Sequence, residues 1–160
     1  PMCNIFNMMI HKLAKEFQNV RIEHHSLPLD KECNKYLPSE FHRGSCTMAR
    51  YAEAAYNQGK FWEVNSLFFE KRPYGEESVI KVLEESKFDI DIDRIKKDAN
   101  TKAVDDVIKK DIDYAFSKNQ FGTPTMSIND EFRMGIPKGG YPALKKWVIE
   151  RGGKPKHKFF

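Results

Sequence analysis

The chain has no apolar run approaching the roughly 18 residues that a membrane-spanning helix requires, which argues against a helical span within it. It has no basic stripe and no nucleic-acid reading motif. Its 27 Lys and Arg are scattered among 23 Asp and Glu, for a net charge of +4, and read as solvated faces. No nucleic acid is therefore expected as a partner. No internal repeat or low-complexity stretch is present. No secretory leader is visible either, which leaves the compartment open. Cysteine is scarce and odd in number, with only Cys3, Cys33 and Cys46. An odd count points to an absent partner. Cys33 and Cys46 would close a short loop, where a disulfide adds about 3 kcal/mol, and would leave Cys3 alone. Such pairing belongs outside the cytosol. His24, His25 and His42, taken with Cys33 and Cys46, match no close-paired zinc-ligand spacing. Adjacent histidines on a strand also point to opposite faces, so these read as surface or strand-edge residues. No metal and no cofactor is expected.

What is present fits one soluble globular domain, or one domain carrying a large insertion. There are 160 residues, 40% apolar and 31% charged, enough to bury a real core. Ile5, Met8, Met9, Leu13 and Phe17 recur at helical spacing, so residues 3–17 read as an amphipathic helix, with Pro1 tolerated in its first turn. Val20 to His24 alternates like a strand ended by Pro28. Residues 29–44 lack a period and read as a loop. Helical stripes follow: Met48 to Tyr56, stopped at Gly59; Phe61 to Phe68, ended near Pro73; a short one over Val79 to Leu83. Ile92 to Ala99 follows, with Asp89 or Asp91 as N-cap, and a long helix runs from Val104 to about Lys118. Phe61-Trp62 and Phe68-Phe69 read as core. After Gly122 the period changes to two, and Asn129-Asp130 is turn chemistry, which makes a hairpin. Ala143 to Val148 forms a last helix stopped by Gly152-Gly153, and 154–160 is a basic, mobile tail.

The order is helix, strand, helical block, hairpin, helix. A strand before Pro1 would complete a mixed sheet of four. That missing strand falls where a cysteine partner for Cys3 would fall, so the chain reads as truncated at its start.

Together these features resemble the DsbA-type thiol–disulfide oxidoreductases of the thioredoxin-fold superfamily. Pro1-Met2-Cys3 resembles the back half of a Cys-Pro-Met-Cys motif, and Gly122-Thr123-Pro124-Thr125 resembles the proline loop that faces such a motif. "VRIEHHSLPL" (20–29) is similar to the family's second strand and turn. "HRGSCTMARYAEAAYNQGKFWE" (42–63) is similar to the entry of its helical domain, and "FGTPTMSIND" (121–130) to its cis-proline strand. "PLDKEC…FHRGSC" resembles family members with a second cysteine pair, some of which work beside vitamin K epoxide reductase-like membrane partners. The resemblance implies an α/β thioredoxin-like fold with an inserted helical domain, its first strand missing from the given chain. The thioredoxin-like part would comprise 1–30 and 120–153, and the insertion 31–119.

In such motifs a thiolate at a helix N-terminus exchanges with a client disulfide through a mixed disulfide, which the second cysteine resolves. The resemblance makes Cys3 the resolving cysteine and Pro1 and Met2 its tuning neighbours. It makes Thr123 and a cis Pro124 the substrate-binding pair, and Cys33–Cys46 a structural disulfide, with an electron shuttle as its alternative. Glu23 is an ambiguous carboxylate, either a proton relay to Cys3 or a polar strand residue. The function implied is disulfide formation or exchange in periplasmic or otherwise extracytoplasmic proteins. Its partners would be dithiol or disulfide protein substrates and a membrane partner that reoxidises or reduces it. Two other readings stay open: a kappa-type glutathione transferase or isomerase, and a non-catalytic thioredoxin-like binding module.

Overall fold

The structure is a computed structural model that describes residues 2–156. The chain forms two compact units, Pro1–His24 with Gly122–Phe160, and His25–Phe121.

The first unit holds helix α1 (Met2–Glu16), strands β1 (Thr125–Ile128) and β2 (Glu131–Met134), and helix α7 (Gly140–Glu150). The strands pair antiparallel, with Ile128 opposite Glu131 and Thr125 opposite Met134. Their two-residue turn puts Asn129 at φ 52° and Asp130 at φ 61°. That left-handed conformation at both central positions matches strand twist, and Asn and Asp tolerate it best among residues with a side chain. The period-2 alternation sends Met126 and Ile128 inward against Leu13, Phe17, Leu144, Trp147 and Val148. Trp147 is buried under two cations. The Arg133 guanidinium lies 4.3 Å from its ring centroid and that of Arg151 5.1 Å.

Residues 20–24 do not form the expected strand. A strand needs a ladder partner, and β1 and β2 pair only with each other among the described residues. Val20 still packs on the core, while Arg21 pairs with Glu23 at the surface. Among the described residues the sheet thus has two strands, where the sequence pattern predicts three within the chain.

The start of the expected mobile tail is held in place. Gln18 N–H donates to the Lys154 carbonyl at 2.9 Å, and Lys156 N–H donates to that of Glu16 at 2.7 Å. Lys154 N–H donates to Asn19 Oδ1 at 2.7 Å. Residues 154–156 so satisfy a carbonyl that the end of α1 leaves open. The remainder of the tail, 157–160, lies outside the described residues. Glycine is required at 153, where a Cβ would stand 2.5 Å from Val148 Cγ1 and 3.0 Å from Phe17 Cε1.

The second unit is helical: α2 (Ser45–Tyr56), α3 (Phe61–Lys71), α4 (Glu76–Glu84), α5 (Ile92–Ala99) and α6 (Lys102–Ser117). Asp91 caps α5 by accepting from Arg94 N–H at 2.9 Å, and Thr101 caps α6. The small residues Ala52, Ala54 and Ala55 let α2 lie close to its neighbours. Phe61, Val64, Phe68, Val79, Leu83 and Ile95 close around them.

The second unit opens at His25 and closes at Phe121. The reason is local bonding. Asp111 on α6 accepts from Ser26 N–H at 2.8 Å and holds the His25 ring at 2.8 Å. Leu27 packs on Val104, Ile108 and Ile112. Phe121 stacks edge-on against Phe116, ring centroids 5.1 Å apart.

Candidate redox site

Cys3 lies in the first turn of α1, the amphipathic helix whose Leu13 is fixed in the core of the first unit. It is a free thiol and part-buried. Its S–H donates to Thr123 Oγ1 at 3.4 Å, across 120 positions of sequence. The fold therefore brings together the two elements that the sequence singled out. The Thr123–Pro124 bond is cis.

The hairpin holds this loop. The Pro124 carbonyl accepts from Gly135 N–H at 2.7 Å, which continues the β1–β2 ladder by one bond. The Thr125 hydroxyl donates back to the Gly122 carbonyl at 2.7 Å. Pro124 itself is buried, and Thr123 is left at the partly exposed edge. A Cβ at Gly122 would lie 2.9 Å from Met134 Sδ, so glycine lets this thioether rest over the loop. Met134 and Met2 are both more than half exposed, giving the surroundings an apolar, polarisable surface. Pro1 lies outside the described residues. Met134 was missed as a neighbour of the site. The signal for it was the cross-strand register, which places residue 134 opposite residue 125.

Glu23 does not meet Cys3. It is exposed and paired with Arg21, so the polar-surface reading holds and the relay does not. Of the histidines, His25 faces Asp111 rather than a thiol.

Cys33 and Cys46 are joined by a disulfide, with Cα atoms 6.0 Å apart. Cys46 is fully buried, in the first turn of α2. Cys33 is part-buried, and its N–H points at Cys46 Sγ at 3.1 Å. One buried carboxylate organises this loop. Asp30 Oδ2 accepts from Gly44 N–H at 2.6 Å and from Cys46 N–H at 3.4 Å, while Oδ1 accepts from Glu32 N–H at 3.0 Å. Sequence reasoning missed Asp30. The available signal was an aspartate that could fold its own carboxylate onto the amide two residues on. Arg50, one turn beyond Cys46, is held by Glu32 and by Asp105 on α6, the latter at 2.8 Å. Burial is the largest single influence on the Arg50 guanidinium and pulls its pKa down, but Glu32 and Asp105 together outweigh it and hold the pKa above its usual value.

The family model of the DSBA-like thioredoxin domain matches residues 1–140, and the chain belongs to that family. It has the family's α/β thioredoxin-like fold with a helical insertion. Two curated relatives are the Na(+)/H(+) antiporter NhaA 1 of Salinispora arenicola, 28% identical over 130 residues, and the Na(+)/H(+) antiporter NhaA 3 of Salinispora tropica, 28% identical over 133. Each match covers 81% of this chain and 18% of the relative, so the chain spans under a fifth of the length of these relatives. No helix among the described residues is long and apolar enough to cross a membrane.

Proposed function

We propose that this chain is a thiol–disulfide exchange domain for extracytoplasmic proteins, with Cys3 as its resolving cysteine. The observation that supports it most is the Cys3 thiol on the hydroxyl of Thr123, at the start of a helix and beside the Thr123–Pro124 loop. In this reading a cysteine immediately before Pro1 completes the Cys-Pro-Met-Cys motif.

In the oxidising direction, a client thiolate attacks one sulfur of the motif disulfide, and that S–S bond breaks as a client–protein S–S bond forms. The displaced sulfur, Cys3, leaves with the electron pair and takes a proton. A second client thiolate then attacks the mixed disulfide, and the client departs oxidised by two electrons. In the reverse direction the Cys3 thiolate attacks the mixed disulfide and releases a client thiol. Pro124 has no N–H of its own, which leaves room for an extended client backbone to pair alongside Thr123. The electrons then pass to or from a membrane redox partner, such as the vitamin K epoxide reductase-like proteins that serve similar domains.

The test is insulin disulfide reduction by the natural protein, together with intact mass after alkylation, with and without prior reduction. Turnover that disappears in Cys3→Ser, with Cys3 alkylated only after reduction, is the expected result. No turnover, with Cys3 alkylated before reduction, would reject the reading in favour of a binding module.

A further inference from the structure

The second cysteine pair sits in surroundings opposite to those that make a thiol reactive. Cys46 occupies the first turn of a helix, where unpaired N–H groups and the macrodipole ordinarily stabilise a thiolate. Here two of those donors are taken by one carboxylate. The Asp30 carboxylate, 1% exposed, holds both Gly44 N–H and the N–H of Cys46 itself. The Asp30 carbonyl oxygen lies 3.5 Å from Cys46 Sγ, so a second partial negative charge faces the sulfur. The cation on the next turn, Arg50, is held between Glu32 and Asp105. A single N–H, that of Cys33, is aimed at the sulfur.

We infer that Asp30 is a positioning residue that keeps the Cys33–Cys46 disulfide out of thiol exchange, so that exchange chemistry in this chain is confined to Cys3. Cys33 is the only residue of the pair with any exposure, so it is the side from which an external thiolate attacks. The attacking sulfur bonds to Cys33 Sγ, the Cys33–Cys46 bond breaks, and Cys46 must depart with the electron pair. Departure is faster the better the leaving thiolate is stabilised. At Cys46 burial opposes the charge, and Asp30 adds a like charge while occupying two of the donors that would offset it. Asp30 thus acts in two ways. It holds the loop in the geometry of the bonded pair, and it makes Cys46 a poor leaving group. The inference takes from the proposed function only the presence of exchanging thiols. Its experiment reads Cys33 and Cys46 alone, so either reading can fail without the other.

The experiment compares the natural chain with Asp30→Asn and Asp30→Ala, measuring the rate at which dithiothreitol reduces Cys33–Cys46 by mass spectrometry after quenching. Asparagine keeps an acceptor for Gly44 N–H but carries no charge. A reduction rate roughly threefold to tenfold higher in Asp30→Asn is expected. If Asp30→Asn reduces at the wild-type rate while Asp30→Ala is faster, Asp30 only holds the loop and the inference is overturned. A second measurement follows the ¹³Cβ resonance of Cys46 with pH in Cys33→Ser, with and without Asp30→Asn. The Cys46 thiol is expected to ionise at lower pH once the carboxylate is neutralised, and an unchanged titration would also overturn the inference. If Cys33→Ser does not fold, the Asn-against-Ala rate comparison decides alone.

Discussion

Two helices of this molecule begin with a cysteine in the first turn, and the two cysteines have opposite fates. At the start of α1, Cys3 is a free, partly exposed thiol whose partner is a neutral hydroxyl. At the start of α2, Cys46 is fully buried, bonded to Cys33, and its own amide is held by a carboxylate. The local backbone feature is the same, so position on a helix does not by itself make a thiol reactive. What decides is which group occupies the helix's open donors and whether solvent or a client can reach the sulfur.

Changes at either cysteine test this contrast. The largest effect is expected from Cys3→Ser in the natural protein. Resolution of the mixed disulfide then loses an intramolecular attacker, and insulin turnover falls on the order of a hundredfold or more. Client-linked adducts should accumulate on non-reducing gels, and unchanged turnover would end the parallel with Cys-x-x-Cys enzymes. The paired change Cys33→Ala with Cys46→Ala should do the reverse. Stability drops by about 2 to 4 kcal/mol in urea titration, while insulin turnover at a temperature where the protein stays folded is retained. Loss of turnover in the folded double variant would instead make this pair part of the catalytic machinery.

A smaller effect is expected at Thr123→Val, which removes the hydroxyl that receives the Cys3 thiol but keeps the shape. Turnover should fall about twofold to fivefold, with thermal stability little changed. The smallest effect lies in the helical unit, at Glu53. Burial, aided by the negative charge of Asp111, holds its carboxyl above the usual range. The folded state therefore favours the protonated form, and stability present below the ordinary carboxylate range is lost as pH rises through the raised one. In Glu53→Gln that loss should disappear. Its melting temperature should exceed wild type at neutral pH and converge with it in acid, and parallel curves would refute the assignment.

The helices and the hairpin could be read in the sequence because each carries its own period and its own stops. Asn129-Asp130, Asp91 and Gly152-Gly153 do in the structure what their chemistry prescribes. The pairing of Cys3 with Thr123 was legible only through the family resemblance, since no local pattern links residues 120 positions apart. Val20 to His24 was misread because alternation reports a face and not a ladder partner. The opening of the helical unit at His25 is held by one acceptor, Asp111, which no periodicity near residue 25 could reveal.

Helix α1 has 15 residues and is therefore about 22 Å long, with Cys3 near one end. Its other end is gripped by the chain at 154–156, through the Glu16 carbonyl and the Gln18 amide. A pull applied at Lys156 would load the last turn of α1 directly and travel along a stiff rod toward the thiol, which makes residues 154–156 a mechanical handle on this helix.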